Sequence, residues 1–285
     1  MTLQNNISVE HLGKKYSNFH LSDISFTVKP GQIVGLIGEN GAGKTTLISL
    51  LLNQIQRDTG EVKYGEEDIM DAKAEIKNQI GIVQDDIFFY DKLNAQDISR
   101  ILKRIYTNWS LKIYNSFLKK FNLPIDKPIC NYSKGMKTKL LLSTALCHQA
   151  KYLILDEVTS GLDPVVRHEV MTMLREYANR GNSVFFSTHI TSDLEGFSDK
   201  VIFLHHGKII FDEFTENLNT KQMIIECSEE EMQSIPAQFL ESTLKVGNKY
   251  HALITSDFPK EQYHFPIKIA SLDDIMLMYI KGENE

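Results

Sequence analysis

The stretch that decides the fold runs from residue 38 to residue 45 and reads Gly38-Glu39-Asn40-Gly41-Ala42-Gly43-Lys44-Thr45. It matches G-x-x-x-x-G-K-[ST] at every fixed position, which is the pattern of a phosphate-binding loop. In such a loop the backbone N–H groups wrap closely around the phosphates, so glycine and alanine stand where the chain turns. The lysine can then reach the outer phosphates, and the threonine hydroxyl can ligate Mg²⁺.

The residues on either side of this loop support the same interpretation. Residues 33–37 form a short apolar run typical of a buried strand, and residues 44–55 are rich in leucine and contain no proline. The order is therefore strand, loop, helix, which is the order that the motif needs. A glycine-rich turn that matches the pattern by chance is the competing interpretation, but it gives no reason for this order. We predict nucleotide phosphate binding at residues 38–45.

The composition sets limits on the class of protein. Of 285 residues, 42% are hydrophobic and 24% are charged, which suits one large globular domain with an accessory piece. The net charge of −6, without a long basic run, argues against nucleic acid as a partner. The 3 cysteines lack C-x-x-C spacing, which argues against disulfides and a zinc site. No signal peptide pattern or membrane-spanning run is visible, so any membrane role is expected to come through a partner.

Charged residues follow two apolar runs in the second half of the chain. Residues 152–155 end in Asp156-Glu157, and after a predicted helix at 164–178 the run 183–186 ends in Ser187-Thr188-His189. A right-handed crossover would make the two strands parallel and bring these residues to one sheet edge. An Asp-Glu pair can simply terminate a strand. Behind a phosphate loop, however, Asp156 is the expected Mg²⁺ ligand, and Glu157 is placed to orient or deprotonate a water molecule.

Two other regions complete the main domain. Residues 7–10 and 21–28 look like antiparallel strands, and Tyr16 between them would lie at a sheet edge. This tyrosine could stack on a purine, or it could be a half-buried residue at a strand end. From residue 94 to 121 the apolar positions have helical spacing, with Ser110 as a cap between two helices. We therefore predict a helical insertion at about residues 85–150.

The pattern restarts after about residue 214. Strands are predicted at 222–227 and 250–255, and capping boxes at Ser228 and Ser271 predict one helix reaching Leu240 and another at the C-terminus. This region has no cluster that looks catalytic. The predicted domains are residues 1–216 and a small α+β appendage at residues 217–285.

Six motifs occur in a fixed order along the chain. They are GENGAGKTT (38–46), Gln84 after an apolar strand, YSKGM (132–136), YLILDE (152–157), SGLD (160–163) and STH (187–189). With these motifs the chain resembles the nucleotide-binding subunit of an ATP-binding cassette (ABC) transporter over roughly its first three quarters. The resemblance implies an α/β P-loop NTPase core with an antiparallel β subdomain and a helical insertion. It also implies Mg²⁺-dependent ATP hydrolysis.

The resemblance implies a role for each matching residue. The ATP phosphates would be held by Gly38, Asn40, Gly41, Ala42, Gly43, Lys44, Thr45 and Thr46, and Tyr16 would stack on the adenine. Mg²⁺ would be bound by Thr45, Gln84 and Asp156. Catalysis would involve Glu157, His189, Gln84 and Lys44, and Gln84 would also link the nucleotide state to the partner.

In this family Ser133 and Gly135 act across a dimer interface, where the signature motif of one subunit closes over the ATP on the other. Asp163 would cross the same interface. The helix after Ser133 would offer free N–H groups and its dipole to the phosphate. The signature departs from the common Leu-Ser-Gly-Gly-Gln, because Lys134 and Met136 replace the first Gly and the Gln. This variant is similar to that of ABC-2-type bacterial exporters of antimicrobial or toxic peptides and drugs.

The expected partners are a second nucleotide-binding subunit, identical or different, and a separately encoded integral membrane permease that holds the chain at the cytoplasmic face of the membrane. Contact with the permease is expected near Gln84, at residues 85–90, where three aromatic side chains could equally pack the helical insertion. A soluble ABC ATPase that acts in a non-transport assembly process is the alternative.

Overall fold

The structure is a computed structural model that describes residues 5–84, 89–221, 223–255, 257–263 and 266–282. The chain divides into two compact units, Met1–Ile210 and Phe211–Glu285. Across the described ranges, no helix combines the length and the apolar character needed to cross a membrane.

Strands and helices largely alternate along the chain. Those that begin in the first unit are β1 (Ile7–Lys15), β2 (His20–Val28), β3 (Ile33–Ile37), α1 (Lys44–Leu51), β4 (Thr59–Tyr64), β5 (Glu67–Asp68), α2 (Ala74–Lys77), β6 (Ile80–Val83), α3 (Ala95–Ile105), α4 (Leu111–Lys120), α5 (Lys134–Leu146), β7 (Tyr152–Leu155), α6 (Pro164–Ala178), β8 (Ser183–Ser187), α7 (Thr191–Phe197), β9 (Lys200–His205) and β10 (Lys208–Phe214). The second unit adds α8 (Thr215–Lys221), β11 (Met223–Cys227), α9 (Glu229–Gln233), β12 (Leu240–Val246), β13 (Lys249–Ile254), β14 (Ile267–Ile269) and α10 (Leu272–Lys281).

A six-stranded sheet in the order β10-β9-β3-β8-β7-β6 forms the centre of the first unit. β3 pairs in parallel with β8 and β9, and β7 pairs in parallel with β6 and β8. Every residue of β3, β7 and β8 is buried, as expected of apolar strands inside an α/β domain. The predicted strands at 33–37 and 152–155 and the parallel crossover to β8 are confirmed. The carboxyl ends of β7 and β8 therefore lie at the same edge of the sheet, as the sequence predicted.

A second, antiparallel sheet in the order β2-β1-β4-β5 packs on this core. The ring of Phe26 stacks on that of Phe185 with centroids 5.2 Å apart. The antiparallel start is confirmed, but the first strand is longer than the predicted 7–10. It passes through a register shift at His11, whose φ of 49° is left-handed, and continues to Lys15. The alternation of apolar residues breaks at this bulge, so the sequence pattern appeared to end there.

The helical insertion is confirmed as α3, α4 and α5. Asn94 caps α3 in a capping box, and the Ser110 Oγ accepts a hydrogen bond of 3.3 Å from the N–H of Ile113 at the start of α4. The Tyr114 hydroxyl donates to the carbonyl of Ala95 at 2.9 Å, which ties α4 to α3. These helices therefore enclose a small apolar core of their own.

The second unit is a four-stranded antiparallel sheet, ordered β12-β13-β11-β14, with α10 against it. The Ser242 Oγ donates to the carbonyl of Met278 at 2.8 Å, which joins α10 to β12. The predicted helix from Ser228 to Leu240 is wrong in length. α9 ends at Gln233 because Pro236 cannot continue a helix, and Leu240 begins a strand that the sequence reading missed. The fold class, an α/β core with an antiparallel subdomain, a helical insertion and an α+β appendage, is confirmed.

Candidate nucleotide-binding site

The phosphate loop joins β3 to α1, and two of its glycines pack closely against Phe19 and Leu204. Gly43 has a left-handed φ of 110°, and a Cβ atom there would lie only 2.6 Å from Cζ of Phe19. At Gly38 a Cβ atom would lie 2.3 Å from the carbonyl oxygen of Leu204. A side chain fits at neither position, so glycine is required by the packing of the loop as well as by its turn.

Lys44 is buried beneath the loop that it belongs to. Its Nζ donates to the carbonyl oxygens of Gly38 at 2.8 Å and Glu39 at 3.1 Å, and it lies 3.9 Å from Oε1 of Glu157. Burial lowers the pKa of this ammonium group, while the carboxylates of Glu157 and Asp156 act in the opposite direction. The cation is thus held at the centre of the loop, where phosphate oxygens could replace the carbonyls as its partners.

Asp156 follows β7 and is buried. Its Oδ1 accepts a short hydrogen bond from the Ser187 hydroxyl, and the Thr45 hydroxyl also bonds to this carboxylate. Burial raises the pKa of the Asp156 carboxyl, and the bond from Ser187 offsets part of that rise. A hydroxyl and a carboxylate that meet beside a phosphate loop are the oxygen donors that suit Mg²⁺, which is usually held by one or two protein groups together with phosphates.

The backbone conformation of Glu157 sets the direction of its side chain. Its φ of 48° is left-handed, and its N–H donates to the Ser187 Oγ at 3.0 Å. Its Oε2 lies 3.4 Å from Nδ1 of His189. The parallel pairing of β7 with β8 therefore brings Glu157, His189 and the Asp156 cluster to one sheet edge, as the strand ends predicted.

A cavity of about 560 Å³ lies over the loop, a volume typical of small-molecule sites. Its lining residues are Tyr16, Asn18, Phe19, Glu39, Asn40, Gly41, Gly43, Lys44, Thr45, Thr46 and Glu157. Tyr16 follows the end of β1 with 47% of its surface exposed, so one ring face is accessible. Gly38 and Ala42 belong to the same loop but are buried and do not line the cavity.

The remaining predicted site residues do not line this cavity. Ser133 caps α5, its Oγ accepting from the N–H of Met136 at 3.3 Å, and Asp163 caps α6 by accepting from two backbone N–H groups at 3.1 Å. A Cβ atom at Gly135 would lie 3.4 Å from Val166, an ordinary contact. The single chain therefore separates these three residues from the phosphate loop's cavity.

Gln84 lies beside a different, smaller cleft. Its Oε1 accepts a hydrogen bond of 3.3 Å from the amide of Gln54. The cleft of about 290 Å³ is lined by Gln54, Ile82, Gln84, Phe89, Leu102, Tyr106, Leu141, Thr144 and Ala145. Residues 85–88 of the predicted permease contact lie outside the described residues. Phe89 is partly buried against the core of the helical insertion, which favours the packing interpretation for that one ring.

The sequence reading assigned no role to several residues of the site. Ser187 was quoted only as part of a motif, although its hydroxyl joins Asp156 to the backbone of Glu157. Asn18, Phe19 and Glu39 line the cavity. Phe19 had a usable signal, since it is an aromatic three positions after Tyr16, whereas the role of Ser187 depends on the pairing of two strands.

One family model and several known proteins are similar to this chain. A family model described as "ABC transporter" matches residues 21–160. The chain is 34% identical to "Putative ABC transporter ATP-binding protein" of Mycoplasma pneumoniae, over 74% of this chain and 68% of that protein. It is 34% identical to "Bacitracin transport ATP-binding protein BcrA" of Bacillus licheniformis, over 72% of this chain and 68% of that protein. It is 28% identical to "Lantibiotic transport ATP-binding protein SrtF" of Streptococcus pyogenes, over 77% and 98%.

Solved structures agree with these relatives. The fold is similar to the "ATP binding subunit of ABC transporter", with a TM-score of 0.69 and 25% identity over 75% of this chain and 91% of that one. It is also similar to cbiO1 from Clostridium perfringens, described as part of the ABC transporter complex cbiONQ. There the TM-score is 0.65 and the identity 26%, over 75% of this chain and 90% of that one.

Proposed function

Because the chain belongs to the ATP-binding subunits of ABC transporters, which are ATPases, we propose that it hydrolyses Mg²⁺-bound ATP as a dimer and drives a separately encoded permease that exports peptide or drug-like compounds. The observation that carries the proposal is that one cavity brings together an exposed Tyr16 ring, the phosphate loop with Lys44, and Glu157. An aromatic face, a phosphate cradle and a carboxylate are the three parts that binding and hydrolysis of a nucleotide require.

The residues around Asp156 fit Mg²⁺. Thr45 and Asp156 would hold the ion, and Gln84 would join them by exchanging its hydrogen bond with Gln54 for the ion. When bound, Mg²⁺ neutralises charge on the phosphates. Ser187 keeps the Asp156 carboxylate oriented toward the Thr45 hydroxyl.

The chain's own side chains would perform the remaining work. Lys44 would exchange its two carbonyl partners for phosphate oxygens. Glu157 would orient the attacking water and take its proton, with His189 at 3.4 Å holding the carboxylate in place. The Tyr16 ring would stack on the adenine and fix the other end of the nucleotide. Asn40, Gly41, Gly43 and Thr46 line the loop side of the cavity, where they would contact the phosphates.

The charge distribution supports a head-to-tail dimer. Residues 85–150 contain 11 Lys and Arg against 5 Asp and Glu, whereas residues 1–84 and 151–210, the rest of the first unit, contain 14 against 18. The basic helical insertion of one subunit would therefore be attracted to the acidic core of another. That contact brings Ser133, Gly135 and Asp163 of one subunit to the phosphate loop of the second, which supplies the residues that the single chain's cavity lacks.

The permease would dock at the cleft beside Gln84. Ile82 in this cleft is 37% exposed on β6, and a partly exposed apolar strand residue next to an open cleft suits a protein contact. A partner bound there would sense the position of Gln84. Docking on a permease would place the chain at the cytoplasmic face of the membrane. Relatives named for bacitracin and lantibiotic transport support export of peptide-like compounds.

Purified protein should hydrolyse ATP only with Mg²⁺ present, and Lys44→Ala should abolish the activity. Expressed with a tag in its own host, the chain should co-purify with an integral membrane protein of several spans from detergent-solubilised membranes. An active ATPase that never retains a membrane protein would favour the soluble assembly role instead.

A further inference from the structure

A buried polar cluster lies behind His189. Thr188 and Asp193 are 1% and 2% exposed, and the Thr188 hydroxyl donates to the Asp193 Oδ2 at 3.3 Å. The same hydroxyl accepts from the N–H of Ile190 at 3.0 Å. His189 is thus held between two residues whose conformations depend on the Asp193 carboxylate.

Arg167 connects this cluster to the loop that carries Asp163. It stands on the first turns of α6, and its Nη2 donates to the carbonyl of Leu162 at 3.5 Å. Its Nε lies 3.8 Å from Oδ1 of Asp193. Within the described ranges this buried Nε–H has no hydrogen-bond partner. A buried donor without an acceptor is costly, so a state in which it finds one would be favoured.

From this geometry we infer that Arg167 and Asp193 are positioning residues whose hydrogen bond closes when nucleotide fills the site, fixing the His189 loop against the loop of Asp163. The inference rests on the proposed function, because the His189 loop meets nucleotide only if ATP binds at the phosphate loop, and the loop of Asp163 meets it only in an ATP-bound dimer. A shift of less than 1 Å would bring Nε within hydrogen-bonding distance of Oδ1. The shift would move Thr188 and His189 together, because Asp193 already bonds to Thr188.

A second arginine on the same helix provides a matched control. Arg175 already pairs with Asp199 at 3.0 Å and donates to the carbonyl of Phe197. Loss of the Arg175 pair should lower the melting temperature equally with and without nucleotide, since that pair does not change. Loss of the Arg167 pair should lower the melting temperature only when nucleotide is bound.

The test compares Arg167→Met, Arg167→Lys and Arg175→Met with wild type by thermal unfolding, with and without Mg²⁺ and a non-hydrolysable ATP analogue, and by steady-state ATPase kinetics. Without nucleotide, Arg167→Met should melt within about 2 °C of wild type. With the analogue it should lose about half of the wild-type stabilisation, and kcat should fall about tenfold with KM nearly unchanged. Arg167→Lys, which keeps the charge, should retain part of the effect.

An equal loss of melting temperature with and without nucleotide, as expected for Arg175→Met, would reduce Arg167 to a purely structural role and overturn the inference. Full nucleotide stabilisation and full kcat in Arg167→Met would overturn it as well. If wild type itself gains no stability from the analogue, the proposed function fails, and the inference fails with it.

Discussion

The hydroxyl of Ser187 donates a hydrogen bond to the carboxylate of Asp156, across the pairing of β8 with β7. The same oxygen accepts the backbone N–H of Glu157 at 3.0 Å. One small side chain therefore orients both carboxylate residues of the site, the first through its side chain and the second through its backbone. This bond links the register of the central sheet to the chemistry at its edge.

Ser187→Ala should weaken Mg²⁺ binding, because the Asp156 carboxylate loses the donor that orients it. We expect the Mg²⁺ concentration for half-maximal ATPase activity to rise about tenfold or more. Ser183→Ala, on the same strand, removes a hydrogen bond to the carbonyl of Asn5 that is remote from the site, and it is the matched control. An equal Mg²⁺ dependence in the two variants would show that Ser187 has no role at the metal.

Asp156→Asn should stabilise the nucleotide-free protein at neutral pH when no Mg²⁺ is present. Burial raises the pKa of this carboxyl above its ordinary value of 3.8, so the ionised form costs free energy in the folded state. As the pH falls through the raised pKa, the wild type takes up a proton and the cost disappears. The difference in melting temperature between variant and wild type should therefore shrink on acidification from about pH 8 to about pH 4. A difference that grows on acidification would contradict this.

Tyr16→Ala should raise the dissociation constant for ATP by about tenfold, since stacking on a base contributes about 1–3 kcal/mol. Tyr16→Phe keeps the ring and should bind like wild type. Phe214, an aromatic of the second unit that is 48% exposed, provides the control Phe214→Ala. Calorimetric titration with ATP measures the dissociation constants of the three variants. A wild-type affinity in Tyr16→Ala would show that Tyr16 is only a half-buried tyrosine at a strand end.

The positions of the candidate catalytic residues at the sheet edge could be predicted because buried parallel strands are recognisable as continuous apolar runs. β3 and β7 are continuous apolar runs, and the polar residues directly after such runs must lie at the strand ends. Glu157 and His189 were found in this way, whereas Lys44 was found from the phosphate-loop motif. No comparable signal marks Ser187 as the partner of Asp156, because that bond depends on which strands are neighbours and on their register.

The sequence-based prediction of secondary structure was wrong where one residue pattern is compatible with both a helix and a strand. The residues after Ser228 look like a continuing helix, and Pro236 is the sequence signal that α9 ends before the strand beginning at Leu240. Gln84 illustrates a different limit. The family resemblance implied that it is a metal ligand, while its contact with Gln54 depends on how the end of α1 meets β6. Such long-range contacts are not encoded in the spacing of residues along a single segment.

Ile82→Ser should weaken capture of the permease, because a polar side chain replaces an apolar group in the cleft beside Gln84. Ile210→Ser, at a residue of similar exposure on β10 of the same sheet, is the control. Co-purification with an integral membrane protein and stimulation of ATPase activity by that protein are the measurements. Nucleotide-induced thermal stabilisation checks that both variants are folded. Equal capture by the two variants would exclude the cleft as the docking surface.

The double change Phe88→Ser and Phe89→Ser tests the aromatic stretch of the sequence that includes Phe89, a residue lining the same cleft. Phe89 packs against the helical insertion, so we expect loss of stability from this pair of changes in addition to any loss of capture. Loss of capture with an unchanged melting temperature would assign the two rings to the permease contact. An unfolded protein would assign them to the core.

The central claim is that the phosphate loop is half of a site that a second subunit completes. The most direct test is the mass of Glu157→Gln in solution with Mg²⁺ and ATP, measured by size-exclusion chromatography with light scattering. Removing the base should leave ATP bound and uncleaved, and the account predicts a stable dimer that Ser133→Arg in the same chain disrupts. A Glu157→Gln protein that binds ATP but stays monomeric, or that hydrolyses ATP at the wild-type rate, would contradict it.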